Sequence, residues 1–204
     1  RAGVCIVRIS GPQAFEIAEI IASPRPAARQ AVMRAIKDKT GSVIDHGLVL
    51  VFDGPNSFTG EDTVELHLHG SIAVVRAVLT ELSTFAHTRI AEPGEFTRRA
   101  MENGKLDLTQ VEGLGDLLEA ETEAQRKQAL RMLSGHLGKR VEIWREKLIR
   151  AAALLEVTID FADEDVPVDV SSEVSSLLDD VGDDIIKEIK GTHTAERIRT
   201  GFEV

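Results

Sequence analysis

Gly54-Pro55-Asn56-Ser57-Phe58-Thr59-Gly60-Glu61-Asp62-Thr63-Val64-Glu65-Leu66-His67-Leu68-His69-Gly70 is the stretch on which the fold turns. Its first half is turn chemistry: proline lacks an N–H, and glycine and asparagine tolerate positive φ, so Gly-Pro-Asn-Ser cannot continue a strand. Its second half alternates with period two. Val64, Leu66 and Leu68 point one way, and Glu65, His67 and His69 the other. A structured loop therefore feeds a strand with a carboxylate and two imidazoles on one face. That face is either a binding surface or the solvated side of a half-buried sheet. Three ionisable groups in a row favour the first.

Working outward, Gly70 releases the chain into an apolar run that predicts a helix over 71–85. Upstream, residues 3–9 (Gly-Val-Cys-Ile-Val-Arg-Ile) are β-rich and apolar on both faces, which predicts a buried strand. Arg8 shares a face with Val4 and Ile6, and a guanidinium there must be paired or must address a ligand. Ser10-Gly11-Pro12 predicts a helix start, with Ser10 as cap and Phe15, Ile17, Ala18 and Ile21 as the apolar stripe of a helix over 12–22. Ser23 to Gln30 reads as a loop. Strands are predicted over 31–37, 43–52 and 62–69, with a short one near Arg89-Ile90-Ala91. Five strands with intervening helices make the first hundred residues an α+β domain with a mixed sheet.

After Leu106 the character changes to helix. Val111, Leu114, Leu117 and Leu118 follow Thr109 at helical spacing. Leu130, Leu133, Leu137, Val141, Trp144, Leu148, Ala152, Leu155 and Ile159 then recur every three or four residues. One helix over 122–161 would run roughly 60 Å, and Gly135 and Gly138 are where it would bend or break. Asp163-Glu164-Asp165-Val166-Pro167 terminates it. Ser171-Ser172 caps a last helix whose stripe is Val174, Leu177, Leu178, Val181, Ile185, Ile186 and Ile189. These stripes read as bundle core, with a tendency to associate where a partner is lacking. Gly201-Phe202-Glu203-Val204 reads as a strand just beginning. The expected domains are 1–108, 109–200 and, from 201 to 204, the start of a third.

Composition narrows the function classes. The 204 residues carry 24 Lys and Arg against 34 Asp and Glu, a formal net charge of −10. That argues against a broad phosphate-binding surface, although Arg98-Arg99 and the stretch from Arg126-Lys127 to Arg131 are local basic candidates. Aromatics make up 4% and tyrosine is absent, so a base-stacking platform is not expected. The lone Cys5 forms no intrachain disulfide and reads as a buried thiol rather than a nucleophile. No apolar run reaches the ~20 residues of a membrane span, and no signal peptide is recognised. The first residue is Arg1 rather than Met, so the natural start is expected upstream. Together these features suit a cytoplasmic protein.

A second informative stretch runs from Ala91 to Gln110. Pro93-Gly94 is a turn, Thr97 is placed to cap a short helix, and Asn103-Gly104 ends it. Lys105 is then presented from a turn that pins its backbone. Taken alone, it is an ordinary surface lysine.

Several blocks closely resemble the MnmE (TrmE) family of tRNA modification GTPases: residues 54–62, His69-Gly70, Glu92 to Ala100, Asn103 to Gln110, Val7 to Gly11, and Ile159 to Asp165. They occur in order along the whole chain. The resemblance implies a dimerising N-terminal domain similar to tetrahydrofolate-binding aminomethyltransferases, followed by an all-α helical segment. In the family a GTPase domain, using magnesium and potassium, is inserted into the helical domain. With an FAD-dependent partner, MnmG (GidA), the family installs an aminomethyl or carboxymethylaminomethyl group at carbon 5 of the wobble uridine of tRNA. The carbon comes from a tetrahydrofolate derivative, 5-formyl or 5,10-methylene. No Gly-x-x-x-x-Gly-Lys-Ser/Thr occurs in this chain, and the family's C-terminal cysteine motif is missing, so GTP hydrolysis by these residues is not expected.

By the same resemblance, the folate-binding residues fall on Arg8, Glu65 and Lys105. The chemistry suits them: a carboxylate accepts paired N–H donors from a pterin edge, and Arg or Lys holds anionic groups. The bland alternative for Arg8 and Glu65 is an ion pair between neighbouring strands. Asn56, Phe58 and His69 are expected around the pocket. His67 and His69 with Glu61 or Asp62 form an incomplete metal set, so no metal is expected. Catalytic acid–base residues are not identified. Two other functions compete: a free-standing folate-dependent one-carbon transferase and a non-catalytic, dimerising helical adaptor. The long helices argue against the first, and folate titration separates the second.

Overall fold

A computed structural model describes residues 2–160 and 170–200, which form two compact units, 1–106 and 107–204. The parts of the predicted motif and terminator from Phe161 to Pro167, and the predicted strand at 201–204, lie outside the described residues.

The first unit is an α+β layer. Strands β1 (Val4–Ser10), β2 (Val32–Lys37), β3 (Val43–Phe52) and β4 (Thr63–His69) form one sheet in the order β1-β4-β3-β2. Helices α1 (Ala14–Ile21) and α2 (Ile72–Leu82) cover one face, and α3 (Glu95–Glu102) closes the unit. All three strand pairs are antiparallel, so the sheet is not mixed. The predicted fifth strand at 89–91 is irregular chain instead. Arg89 there directs its guanidinium at Glu95 rather than lying in a ladder.

Register explains the two faces. Val7, Leu66 and Val49 stand side by side across three strands, and all are buried. With Val64, Val51, Leu68 and the inward sides of α1 and α2 they make the core. The next row, Ile6–His67–Leu48–Met33, crosses all four strands on the opposite face, and its three apolar members are exposed. Arg8–Glu65–Leu50 is the row beside it. The apolar run in β1 is therefore not buried on both sides. Both helices cover the same face, and among the described residues β1 pairs only with β4, so Val4 and Ile6 remain in solvent at 61% and 53% exposure.

In the first unit, local chemistry places two helix starts differently from the sequence reading, and in the second Ser171 and Ser172 lie within the last helix rather than capping it. Ser10 is the last residue of β1 and its hydroxyl turns to the 59–63 loop, while α1 begins at Ala14 after Gln13. Thr97 lies inside α3, whose N-cap is Gly94.

In the second unit, α4 (Leu108–Glu119) and α5 (Glu123–Leu133) each start with a capping box, Asp107 with Gln110 and Thr122 with Gln125. Then follow α6 (His136–Asp160) and α7 (Ser171–Thr200). The predicted long helix breaks between α5 and α6. Gly135 sits at φ +72°, the left-handed position that closes α5, whereas Gly138 is accommodated within α6. Gly135→Ala is expected to destabilise this unit by about 1 kcal/mol, read from its urea transition, because a Cβ is strained in that conformation.

Arg140, Lys147 and Arg150 of α6 pair with Asp184 and Glu188, Asp180, and Glu173 of α7. Ala151, Val174 and Val181 are buried. Much of the predicted stripe is nonetheless open: Val141, Leu148 and Leu155 are each more than two-fifths exposed. Among the described residues, no helix is long and apolar enough to cross a membrane.

Candidate functional site

The open row of the sheet carries the site. Arg8 and Glu65 are direct cross-strand partners. The guanidinium donates from Nε and Nη2 to Glu65 Oε1 at 2.9 and 2.6 Å. Glu65 Oε2 lies 3.2 Å from His67 Nε2. Two rings flank the cation: its Cζ is 5.2 Å from the centroid of Phe58 and 5.4 Å from that of Phe96. The pair is half-buried, with side-chain exposures of 32% for Arg8 and 15% for Glu65. A ligand can therefore reach it.

The 54–62 loop is held from inside. Asp62 accepts from the Gly54 amide at 2.9 Å, and Ser57 donates to the Glu61 carbonyl. Thr59 and Thr63 are buried, and the Ser10 hydroxyl lies 2.6 Å from Thr59 Oγ1. Ser10 also donates to Glu61 Oε2 at 2.8 Å. The loop is thereby tied to the end of β1, two residues from Arg8.

α3 meets this loop from the other side. Asn103 Nδ2 donates to the Thr59 carbonyl at 2.7 Å. After Asn103, the Gly104 amide bonds Met101 O and the Lys105 amide bonds Ala100 O, a Schellman closure that fixes the Lys105 backbone. The Lys105 stem lies against Gly60: a Cβ at Gly60 would stand 3.2 Å from Lys105 Cε. Lys105 is exposed, and among the described residues its amine has no hydrogen-bond or ion-pair partner. Arg8, Glu65, Phe58 and Lys105 thus lie on or beside one loop.

The other predicted pocket residues sit elsewhere. His69 Nδ1 is 2.8 Å from Asp45 Oδ1 at the far end of β4, with its side chain 72% exposed. Asn56 is at the loop tip, and its carbonyl accepts from Arg29.

Sequence reasoning missed Phe96 and the charge network behind it. Glu95 is 3% exposed and accepts from Arg89, Arg99 and the Glu92 amide. The two Arg89 bonds, then the Glu92 amide and Arg99, hold its carboxyl far below the ordinary glutamate range. Arg99 Nη1 also reaches both Glu61 oxygens, at 3.2 and 3.0 Å. The signal was present: Glu95 and Arg99 have i, i+4 spacing on a predicted helix. Apart from Arg131, whose guanidinium lies 3.4 Å from His136 Nε2, the suggested basic patches are instead paired. Arg99 turns inward, Arg98 lies near Glu92 and Glu102, and Arg126 and Lys127 share Glu123.

A cleft of about 630 Å³ runs along the free edge of β1 to α2 and shares Arg8, Phe96 and Arg99 with the site. Cys5, partly exposed, lines its far end. Among the described residues, no three His, Cys, Asp or Glu side chains converge as a metal site.

Comparison with known proteins places this geometry in a family. Residues 1–105 match the family model described as GTP-binding protein TrmE N-terminus, and residues 108–203 match that of the MnmE helical domain. Over all 204 residues the chain is 64% identical to a protein of Roseobacter denitrificans named tRNA modification GTPase MnmE, of which it covers 48%. Proteins of the same name from Dinoroseobacter shibae and a Ruegeria species are each 58% identical over the same span, with 48% of their length covered. The chain therefore spans about half the length of these relatives. It belongs to the TrmE (MnmE) family and carries that family's N-terminal and helical domains.

Proposed function

We propose that this chain is the folate-binding, dimerising part of a cytoplasmic tRNA modification GTPase. In this reading the whole protein works with an FAD-dependent MnmG partner. Together they install an aminomethyl or carboxymethylaminomethyl group at carbon 5 of the wobble uridine. The one-carbon unit comes from a reduced folate held at Arg8, Glu65 and Lys105. GTP, magnesium and potassium are handled by a domain with a phosphate-binding loop, a motif these 204 residues lack.

The observation that carries the reading is the half-open Arg8–Glu65 pair with the Phe58 and Phe96 ring centroids 5.2 and 5.4 Å from its guanidinium carbon, next to the loop on which the Lys105 stem packs. Phe58 and Phe96 offer flat apolar walls to a pterin. Glu65 offers carboxylate lone pairs to its N–H edge, and Arg8 and Lys105 offer cations to carbonyl and carboxylate groups. A purely structural ion pair needs neither the rings nor a lysine displayed beside the same loop.

Calorimetric titration with 5-formyltetrahydrofolate tests it. Glu65→Ala and Lys105→Ala are each expected to weaken binding by about tenfold or more, about 1.4 kcal/mol. Unchanged affinity in both rejects the assignment.

The dimerisation part rests on the exposed apolar row Ile6, Leu48 and Met33. An open apolar sheet face of this kind suits a second copy of the chain. Ile6→Glu is expected to shift the chain from dimer to monomer in sedimentation velocity, and a monomeric parent would sink the proposal.

A further inference from the structure

The geometry points to Arg99 as a positioning residue that clasps the 54–62 loop to α3 and thereby sets where the Lys105 amine stands. Three observations carry this. First, Arg99 uses all three guanidinium nitrogens on two carboxylates. Nε and Nη2 reach Glu95 Oε1 at 3.1 and 2.8 Å, and Nη1 spans both oxygens of Glu61. Second, its two anchors belong to different elements. Glu95 is buried at the start of α3 and held from behind by Arg89 and the Glu92 amide. Glu61 belongs to the loop and is also held by Ser10 of β1. Third, the clasp lies between the groups that matter. Phe96 and the Lys105 turn are on or directly after α3, while Phe58 and Gly60 are on the loop.

A single planar guanidinium bridging two carboxylates restricts both distance and angle. Without it, the described loop-to-α3 ties are the Asn103 bond to the Thr59 carbonyl and the packing of Gly60 on the Asn103 and Lys105 stems. Both allow rotation of the loop about that point. The turn that displays the amine would then lose its fixed place against the loop.

The test has one arm that needs no ligand and one that rests on the folate reading. In the first, lysines of the whole chain are reductively ¹³C-methylated, and the Lys105 resonance is identified by its loss in Lys105→Arg. Arg99→Gln is expected to shift and broaden that resonance while leaving those of Lys139 and Lys147 in place. Glu61→Gln is expected to do the same. It leaves the Glu95–Arg89–Arg99 cluster intact, so it decides the matter if Arg99→Gln does not fold. An unmoved Lys105 resonance overturns the inference. In the second arm, Arg99→Gln is expected to weaken 5-formyltetrahydrofolate binding about tenfold in the parent and less than about twofold in Lys105→Ala. An equal loss in both backgrounds also overturns it. If the parent chain binds no folate, the folate reading falls alone and the first arm still decides the role of Arg99.

Discussion

Leu66→Ala is expected to destabilise the first unit by about 2–5 kcal/mol, enough to remove a large part of the stability of a domain this size. Leu66 is fully buried on a central strand. Its neighbours across the ladder, Val7 and Val49, are held by backbone hydrogen bonds, and its neighbours along the strand, Val64 and Leu68, are buried too. None of them can move inward to fill the space without breaking the register. The cavity therefore persists, and the cost sits toward the upper end of the range for such truncations. Glu65 and His67 flank this residue, so looser packing beneath β4 also loosens the site above it. A fall in urea midpoint equivalent to less than about 1 kcal/mol would mean that α1 and α2 close on the gap instead.

Acid is expected to strip a second large contribution, that of Glu95. Its carboxylate is buried and accepts five N–H bonds, from Arg89 twice, Arg99 twice and the Glu92 amide. Its folded value lies far below the ordinary glutamate value of 4.5, first through Arg89, then the Glu92 amide and Arg99. A depressed carboxylate binds its proton more readily in the unfolded chain. Its contribution is therefore complete above pH 4.5 and is lost as pH falls from there toward the folded value. Glu95→Gln is expected to lower stability at neutral pH and to flatten the decline below pH 4.5. A variant that keeps the parent's full acid slope would show that other carboxylates carry it. The same substitution frees one end of the Arg99 clasp, so it is expected to disturb the Lys105 turn as well.

Much of the frame was legible from local pattern. Strict alternation over Val64 to His69 marked β4 and placed Glu65 and His67 on one face, which is where they stand. The spacing of apolar residues after Thr109 marked the helical half, and Gly135 marked the break. Turn residues at Asn103-Gly104 marked the end of α3 and the display of Lys105. Other readings went astray where a distant partner decided the outcome. Ser10 has the chemistry of a helix cap, yet Thr59 and Glu61, some fifty residues on, claim its hydroxyl. Arg98 and Arg99 look like equal members of a basic pair. Only Arg99 falls on the helix face that meets Glu61, so it turns inward.

Residue order alone thus determined four of the five predicted strands, the helical character of the second half, which side chains of β4 share a face, and the family to which the chain belongs. It could do so because strand and helix periods, caps and turn chemistry act over a few residues. The tertiary structure decided the rest. It set the order β1-β4-β3-β2, the meeting of Arg8 with Glu65, the two rings near that pair, and the exposure of β1's apolar face. Those outcomes depend on which distant element covers which face. That choice is set by packing and desolvation summed over the whole domain, which no short stretch encodes.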